Sequence, residues 1–274
     1  MIFIECSGKK IPALGFGTWK LKGDECRISV RKALEMGYRH IDTAQIYENE
    51  NEVGDAIRDS GIARGDIFLT TKVWVTNMRK GDLRKSVAES LKKLKTDYVD
   101  LLLLHWPNKD VSLEEQLDAL QEVKTSGLAR LIGVSNYPVA LMTRAIEEIG
   151  APISNNQVEY HPYLSQWPVL DYARSQHMFV TAYTPLAKGK INNDPALKNI
   201  AEAHNKTIGQ VTLRWLVQQG NVAAIPKAAQ EAHMRENFDI FDFTLSEREM
   251  EEIHGLARPD GRLVNPDFAP VWDS

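Results

Sequence analysis

Two rhythms of apolar residues alternate along this chain. Short runs that are almost wholly apolar give way to longer stretches with apolar positions three and four apart. The first rhythm predicts strands and the second amphipathic helices. At the start, Ile2 and Ile4 alternate with other residues, Ser7-Gly8-Lys9 has turn chemistry, and Ile11 resumes the run. That predicts a hairpin over residues 1–14. Gly15-Phe16-Gly17-Thr18-Trp19 reads as a first strand whose backbone is approached closely, by a ligand or by packing. Further strands are predicted around Ile41, over Ile67–Val73, Tyr98–His105, Leu131–Asn136, within Ile153–Tyr160, and over Phe179–Tyr183 and Asn221–Ile225. Tyr98–His105 is nearly all apolar, as suits a strand buried on both faces of a parallel sheet.

Helices fall between them. Asp24–Met36 stops at Gly37, and Glu52–Ser60 at Gly61. Leu83–Leu94, Trp167–His177, Asp194–His204 and Glu231–Phe238 have helical spacing, and Tyr137-Pro138 starts a helix that ends at Gly150. Ser112 with Glu115 reads as a capping box for a helix running to Thr125, stopped by Gly127. Thr207 with Gln210, and Ser246 with Glu249, open two more. Residues 258–274, with three prolines and Gly261, read as irregular. Eight strands, nearly every one followed by a helix, predict an α/β protein with a parallel sheet. In 274 residues they favour closure into one (β/α)8 barrel domain over residues 1–274, its bottom closed by the N-terminal hairpin. A doubly wound open sheet is disfavoured because no Gly-x-Gly-x-x-Gly turn follows an early strand.

Composition narrows the partners. Hydrophobic residues are 43% and charged residues 26%, a globular balance. The net charge of −4 gives no bulk attraction to nucleic acid or to an anionic membrane. No uncharged run approaches the roughly 18 residues of a membrane span, and the N-terminus lacks the pattern of a signal peptide. Cys6 and Cys26 read as ordinary reduced thiols. These features predict a cytoplasmic protein, monomeric by default, whose partner is a small molecule.

In such a barrel the C-terminal strand ends share one mouth. That gathers Asp42, Lys72 and His105, with Tyr47 on the loop just beyond. A free phenol has a pKa of about 10. A nearby ammonium lowers it, so Lys72 can tune Tyr47 if held close, and Asp42 can hold Lys72. His105 can donate to a substrate oxygen. Such a set protonates an oxygen that gains negative charge, as when a carbonyl accepts a hydride. Taken singly, each of the four reads more readily as structural than as catalytic: Lys72 as a solvated strand end, His105 as a core histidine, Asp42 as a helix cap and Tyr47 as packing. A metal-dependent hydrolase or isomerase barrel is disfavoured, since no paired His and carboxylate ligands fall at the strand ends.

These pieces, with others in order along nearly the whole chain, resemble the aldo-keto reductase family. The matching motifs include Gly15-Phe16-Gly17-Thr18-Trp19, Asp42-Thr43-Ala44 with Tyr47, Thr71-Lys72-Val73-Trp74 and His105-Trp106-Pro107. Ile132-Gly133-Val134-Ser135-Asn136, Asn156-Gln157, Ala182-Tyr183-Thr184-Pro185-Leu186, Ile225-Pro226-Lys227 and Arg262-Leu263-Val264-Asn265-Pro266 continue the match. The resemblance implies a barrel that binds NADPH across its mouth and reduces aldehydes or ketones. It implies Tyr47 as proton donor, Lys72 as its tuner, Asp42 as the partner of Lys72, and His105 as the group orienting the carbonyl. A cofactor-binding regulatory barrel without turnover is the alternative, and it would need no proton donor.

The resemblance further assigns Ser135, Asn136 and Gln157 to the nicotinamide carboxamide, Tyr183 to stacking on its ring, and Glu236 and Asn237 to the adenine side. Gly17, Thr18, Trp19, Thr184, Leu186, Ile225, Lys227 and His233 complete the cofactor set. The chain departs from the family where a Ser and an Arg usually lie near the 2′-phosphate; Ala228 and His233 stand there. A neutral His lacks the permanent charge and fork of Arg. Lys227 remains, and Arg235 is placed to compensate or to be simply solvated. Weakened preference for NADPH, with use of NADH, is therefore expected. Trp19, Trp74 and Trp106 match residues lining the family's substrate pocket, with rim packing as the bland reading. The subgroup resembled acts on methylglyoxal, other 2-oxoaldehydes and 2,5-diketogluconate, and short loops imply a fairly open site.

Overall fold

The computed structural model describes residues 1–273. Eight strands run parallel in one curled sheet: β3 (Phe16–Gly17), β4 (His40–Asp42), β5 (Phe68–Val73), β6 (Val99–Leu104), β7 (Ala129–Ser135), β8 (Ile153–Glu159), β9 (Phe179–Tyr183) and β10 (Val222–Ala224). Each pairs with its neighbour in chain order. The ring closes where Leu14 bridges Ala224, with Gly15 N donating to Ala224 O at 2.8 Å and Gly17 N to Pro226 O at 3.0 Å. The result is the expected (β/α)8 barrel.

The first barrel strand is shorter than its sequence suggests, and the structure says why its glycines are there. A Cβ on Gly17 would lie 2.7 Å from Ile225 O, and one on Gly15 would lie 2.9 Å from the His40 ring. Closing the ring brings the Ile225 backbone against Gly17, and the His40 ring against Gly15, so packing alone accounts for both glycines.

The hairpin of β1 (Phe3–Cys6) and β2 (Lys9–Pro12) sits at the opposite end from the mouth. The backbone carbonyl of Pro12 meets His40 Nδ1 at 3.1 Å, at the start of β4. The Cys6 thiol lies against Ser154 O and His177 O near the starts of β8 and β9. Ile4, Cys6 and Ile11 are buried there, so the hairpin plugs the barrel floor.

Helices cover the outside: α1 (Gly23–Met36), α2 (Glu50–Asp59), α3 (Lys80–Leu94), α4 (Leu113–Thr125), α5 (Val139–Thr143), α6 (Trp167–Ser175), α7 (Pro195–Ala203), α8 (Ile208–Gln218), α9 (Glu231–Phe238) and α10 (Glu247–His254). Thr207 and Ser246 each form a reciprocal capping box. Ser112 forms only half of one. Its Oγ accepts from Glu115 N, but the Glu115 carboxylate instead accepts from Lys80 N at the start of α3. The predicted helix from Tyr137 to Gly150 is also modified: α5 passes into a π-helical turn at Arg144–Glu148. No helix among the described residues is long and apolar enough to cross a membrane.

Candidate active site

The C-terminal ends of all eight barrel strands, with the tail, converge on a cavity of about 640 Å³. Its chemistry starts at the end of β4. Asp42 is almost fully buried, and its backbone carbonyl accepts from both Thr18 N and Thr18 Oγ1 at 3.0 Å. Tyr47 follows in a single 3₁₀ turn, Gln45–Tyr47. That turn is pinned from three sides. Asn49 donates to Thr18 O and Leu21 O and accepts from Thr43 Oγ1. Gln45 Oε1 accepts from Trp74 N at 2.9 Å and Asn77 Nδ2 at 3.0 Å, and its amide donates to Ser90. Lys22 Nζ donates to Tyr47 O at 2.7 Å. The loops after β3, β4 and β5 thus form one unit around the phenol.

Lys72 comes up from β5 with no exposure at all, so it is no solvated strand end. Its Nζ donates to Asp42 Oδ1 at 2.5 Å and to Thr43 O at 2.9 Å, and stands 5.0 Å from the centre of the Tyr47 ring. Gln157 Nε2 donates to Asp42 Oδ2 at 2.8 Å, so both carboxylate oxygens are used and Asp42 caps no helix. His105, one residue past β6, meets the Tyr47 ring edge-on at 5.7 Å and the Trp74 ring at 5.2 Å. Its Nδ1 is buried without a partner.

The electrostatics differ from the simplest expectation in one respect. Burial, and after it Asp42, hold the Tyr47 phenol well above its usual range. Lys72 alone would lower it, but its ammonium is bound to Asp42, whose charge offsets part of that effect at the ring. Burial also pulls the Lys72 ammonium down, with Asp42 opposing. Burial and then Lys72 push His105 well below 6.5, so its imidazole is neutral at ordinary pH.

The far side of the mouth is built from β7 to β10. Ser135 Oγ donates to Gln157 O at 2.8 Å. Asn136 takes a left-handed conformation (φ 64°). Its amide donates to His105 O and Ser135 Oγ, while its Oδ1 accepts from Tyr183 OH at 2.8 Å. Beyond β9, Thr184, Ala187 and Lys188 have φ of 52°, 47° and 54°. Left-handed backbone without glycine costs about 1–2 kcal/mol per residue, and such strain gathers where a ligand is held.

Gly17, Thr18, Trp19, Ser135, Asn136, Gln157, Tyr183, Thr184, Leu186, Ile225 and Lys227 all line the cavity, as do Trp19, Trp74 and Trp106 from the expected substrate pocket. His233, Glu236 and Asn237 do not. They lie on α9, which begins just past Lys227 at the cavity's end. There Glu236 Oε1 accepts from Thr207 Oγ1 at 2.7 Å, and His233 Nδ1 is 3.7 Å from Glu236 Oε2. Trp106 is buried and Trp19 stands at the rim, 44% exposed.

Sequence reasoning missed several walls: Ile46, Pro185, Lys188, Pro226 and the tail residues Leu263–Pro266. The tail has no period to read. The signal it did offer was its aromatics, since Phe268 packs on both Trp74 (6.2 Å) and Trp106 (5.5 Å). The site expected to be open is therefore walled on that side.

A model of the aldo/keto reductase family matches residues 13–258. The chain belongs to the aldo/keto reductase family. The methylglyoxal reductase DkgB of Salmonella typhi is 45% identical over 267 residues, covering 96% of this chain and 99% of that one. The glyoxal reductase of Bacillus subtilis (strain 168) is 40% identical over 262 residues, covering 95% and 94%. A crystal structure assigned as a 2,5-diketo-D-gluconic acid reductase B is 53% identical and superposes with a TM-score of 0.97, covering 100% of this chain and 98% of that one. Membership makes this aldo/keto reductase an oxidoreductase of small carbonyl compounds.

Proposed function

We propose that this enzyme reduces small aldehydes and ketones, with 2-oxoaldehydes such as methylglyoxal foremost and 2,5-diketogluconate-like compounds alongside, with Tyr47 as proton donor. The observation that carries the reading is the buried Lys72–Asp42 pair beneath the Tyr47 ring, with neutral His105 facing the same ring. A bound reduced nicotinamide, NADPH or NADH, would supply the hydride, as cofactors supply the hard chemistry of their enzymes.

The residues fit such a group. The left-handed residues Thr184, Ala187 and Lys188, interspersed with Pro185 and Leu186, make turns of the sort that suit phosphates. Tyr183 offers a ring, and Ser135, Asn136 and Gln157 offer amide and hydroxyl groups beside it. Lys227 gives one cation at the cavity's end.

The chain's own part is to place the carbonyl and deliver a proton. Because its phenol is held above the usual range, Tyr47 is fully protonated before reaction, which is the form a donor needs. A developing alkoxide is far more basic than any phenol, so transfer runs downhill. The Lys72 ammonium then stands near the phenolate left behind, where a cation is stabilising. His105 has its Nδ1 enclosed, which leaves Nε2 to face the mouth and donate to the carbonyl oxygen. Trp74, Trp106 and Phe268 exclude water on one side, which suits a small, compact substrate.

Cofactor choice follows from the other end. Arg235, the residue placed to replace the absent arginine, donates to Glu231 Oε1 at 3.2 Å, and Glu231 Oε2 is taken by Lys32 at 2.9 Å. A carboxylate thus sits between the two cations, in contact with both. Appreciable use of NADH beside NADPH is the expected result. A carbonyl panel run with both cofactors tests the proposal. Methylglyoxal among the best substrates supports it, and no turnover of any 2-oxoaldehyde with either cofactor refutes it.

A further inference from the structure

The chain's last residues form a wall of the reaction chamber, and one buried carboxylate outside the reacting group holds them there. Glu159, the last residue of β8, has no exposure. Its Oε1 accepts from His161 Nε2 at 3.0 Å and from Leu263 N at 2.8 Å, and its Oε2 accepts from Val264 N at 2.9 Å. Two consecutive backbone donors of the tail thus close on one carboxylate. His161 is also fully buried, its Nδ1 has no partner, and the only hydrogen bond of its side chain among the described residues is the one to Glu159. Lys188 Nζ adds a contact to Leu263 O at 3.1 Å.

The clamp has a defined start. Arg258 N donates to Tyr163 O, and Gly261 packs so tightly there that a Cβ on it would lie 1.7 Å from that same oxygen. Beyond Gly261 nothing regular supports the chain: no helix or strand follows His254 among the described residues. Leu263 and Val264 face the cavity directly. Trp272 Nε1 then donates to Asn265 Oδ1 at 2.8 Å, and Phe268 rests on Trp74 and Trp106. The far end is anchored at Asp273, whose carboxylate accepts from Val139 N.

We infer that Glu159 is a positioning residue for carbonyl reduction: through the backbone of Leu263 and Val264 it fixes the tail as a wall, and so sets how tightly the carbonyl substrate is bound. The inference rests on the reading of this mouth as the carbonyl site. A carboxylate is the group that fits, because it offers acceptors on both oxygens and no donor. Glutamine in its place presents an NH2 to one of the two tail N–H groups whichever way it is turned, so one tail donor is left facing a donor.

Glu159→Gln in the full-length enzyme is the test, read in two ways. Trypsin release of the peptide after Arg262 reports the tail itself and needs no activity. Steady-state kinetics with methylglyoxal reports the wall. Release is expected to quicken about tenfold, and KM to rise about tenfold, the scale of a lost charged hydrogen bond. Little change in kcat is expected, as follows when binding is lost equally from ground and transition states. A global loss of structure would not produce that split. Release at the wild-type rate overturns the inference, and so does faster release with KM unchanged. Faster release in a protein whose wild type reduced no carbonyl would support the clamp and count against the catalytic reading instead. If Glu159→Gln does not fold, Val264→Pro deletes one tail donor and leaves the Glu159–His161 pair intact. Its tail should also be released faster, and wild-type release there overturns the inference.

Discussion

Replacing Lys72 by methionine separates what the buried ion pair does for the fold from what it does for the reaction. The Lys72 side chain is 0% exposed and that of Asp42 2%. Removing one partner of such a pair leaves an uncompensated buried charge and costs about 3–5 kcal/mol. At about 2–4 °C per kcal/mol for a chain of this size, Tm should fall by roughly 10 °C. Adding Asp42→Asn removes the stranded charge, and the new side-chain carbonyl still accepts from Gln157. The double variant should therefore recover to within about 1–2 kcal/mol of the parent. Rate should not recover in step. A cation 5.0 Å from the Tyr47 ring, taken at an effective dielectric near 20, favours the phenolate by about 3 kcal/mol, or roughly 10²-fold in rate. Loss of the opposing Asp42 charge returns part of this, so the double variant should remain more than about tenfold slow in kcat/KM. Thermal melts and nicotinamide consumption with methylglyoxal read both quantities. The reasoning fails if Lys72→Met keeps wild-type kcat/KM, or if the double variant is no more stable than the single.

Other outcomes follow from the same geometry. Kinetics with both cofactors should show NADPH favoured by less than several hundredfold, and His233→Arg should raise that preference about tenfold by restoring one charged donor; no change would place the 2′-phosphate elsewhere. Gln45→Leu breaks the contacts to Trp74 N, Asn77 and Ser90, and should lower stability by about 1–3 kcal/mol with a larger loss in kcat than in KM. Equal kcat would separate that turn from Tyr47. Stability should also fall in mild acid. His40 and His105 are both held below 6.5, chiefly by burial, so the unfolded chain binds protons that the folded chain does not. Stability is then full above pH 6.5 and declines below it, by up to about 1.4 kcal/mol per pH unit for each histidine. His40→Gln should make the melt less sensitive between pH 7 and pH 5, and an unchanged slope would assign the loss to other groups.

Most of this architecture was legible because the strands and helices carry strong periods. β6 shows it best: Val99–Leu104 is apolar throughout and buried throughout. The gathering of Asp42, Lys72 and His105 at one rim was legible for a related reason. Once the strands are parallel neighbours in one ring, Asp42, Lys72 and His105 must end on one rim. What escaped depended on distant partners. Nothing local told that Gly17 is required by Ile225 O across the closing seam, or that Glu115 would serve α3 and leave the capping box of α4 half made. The direction of the Tyr47 shift was missed because it depends first on how deeply the ring is buried and then on the nearness of Asp42, neither of which a local pattern shows. The tail was missed as a wall because Leu263 and Val264 are held by a carboxylate about a hundred residues earlier (|i−j| 104 and 105), not by any pattern of their own.

The most direct test is Tyr47→Phe, which deletes one oxygen from a buried ring and leaves Lys72, Asp42 and His105 in place. With methylglyoxal and either reduced nicotinamide, kcat/KM should fall by about 10²- to 10⁴-fold while Tm stays near that of the parent. A variant that melts normally and still reduces methylglyoxal at close to the parental rate would show that the proton comes from another group.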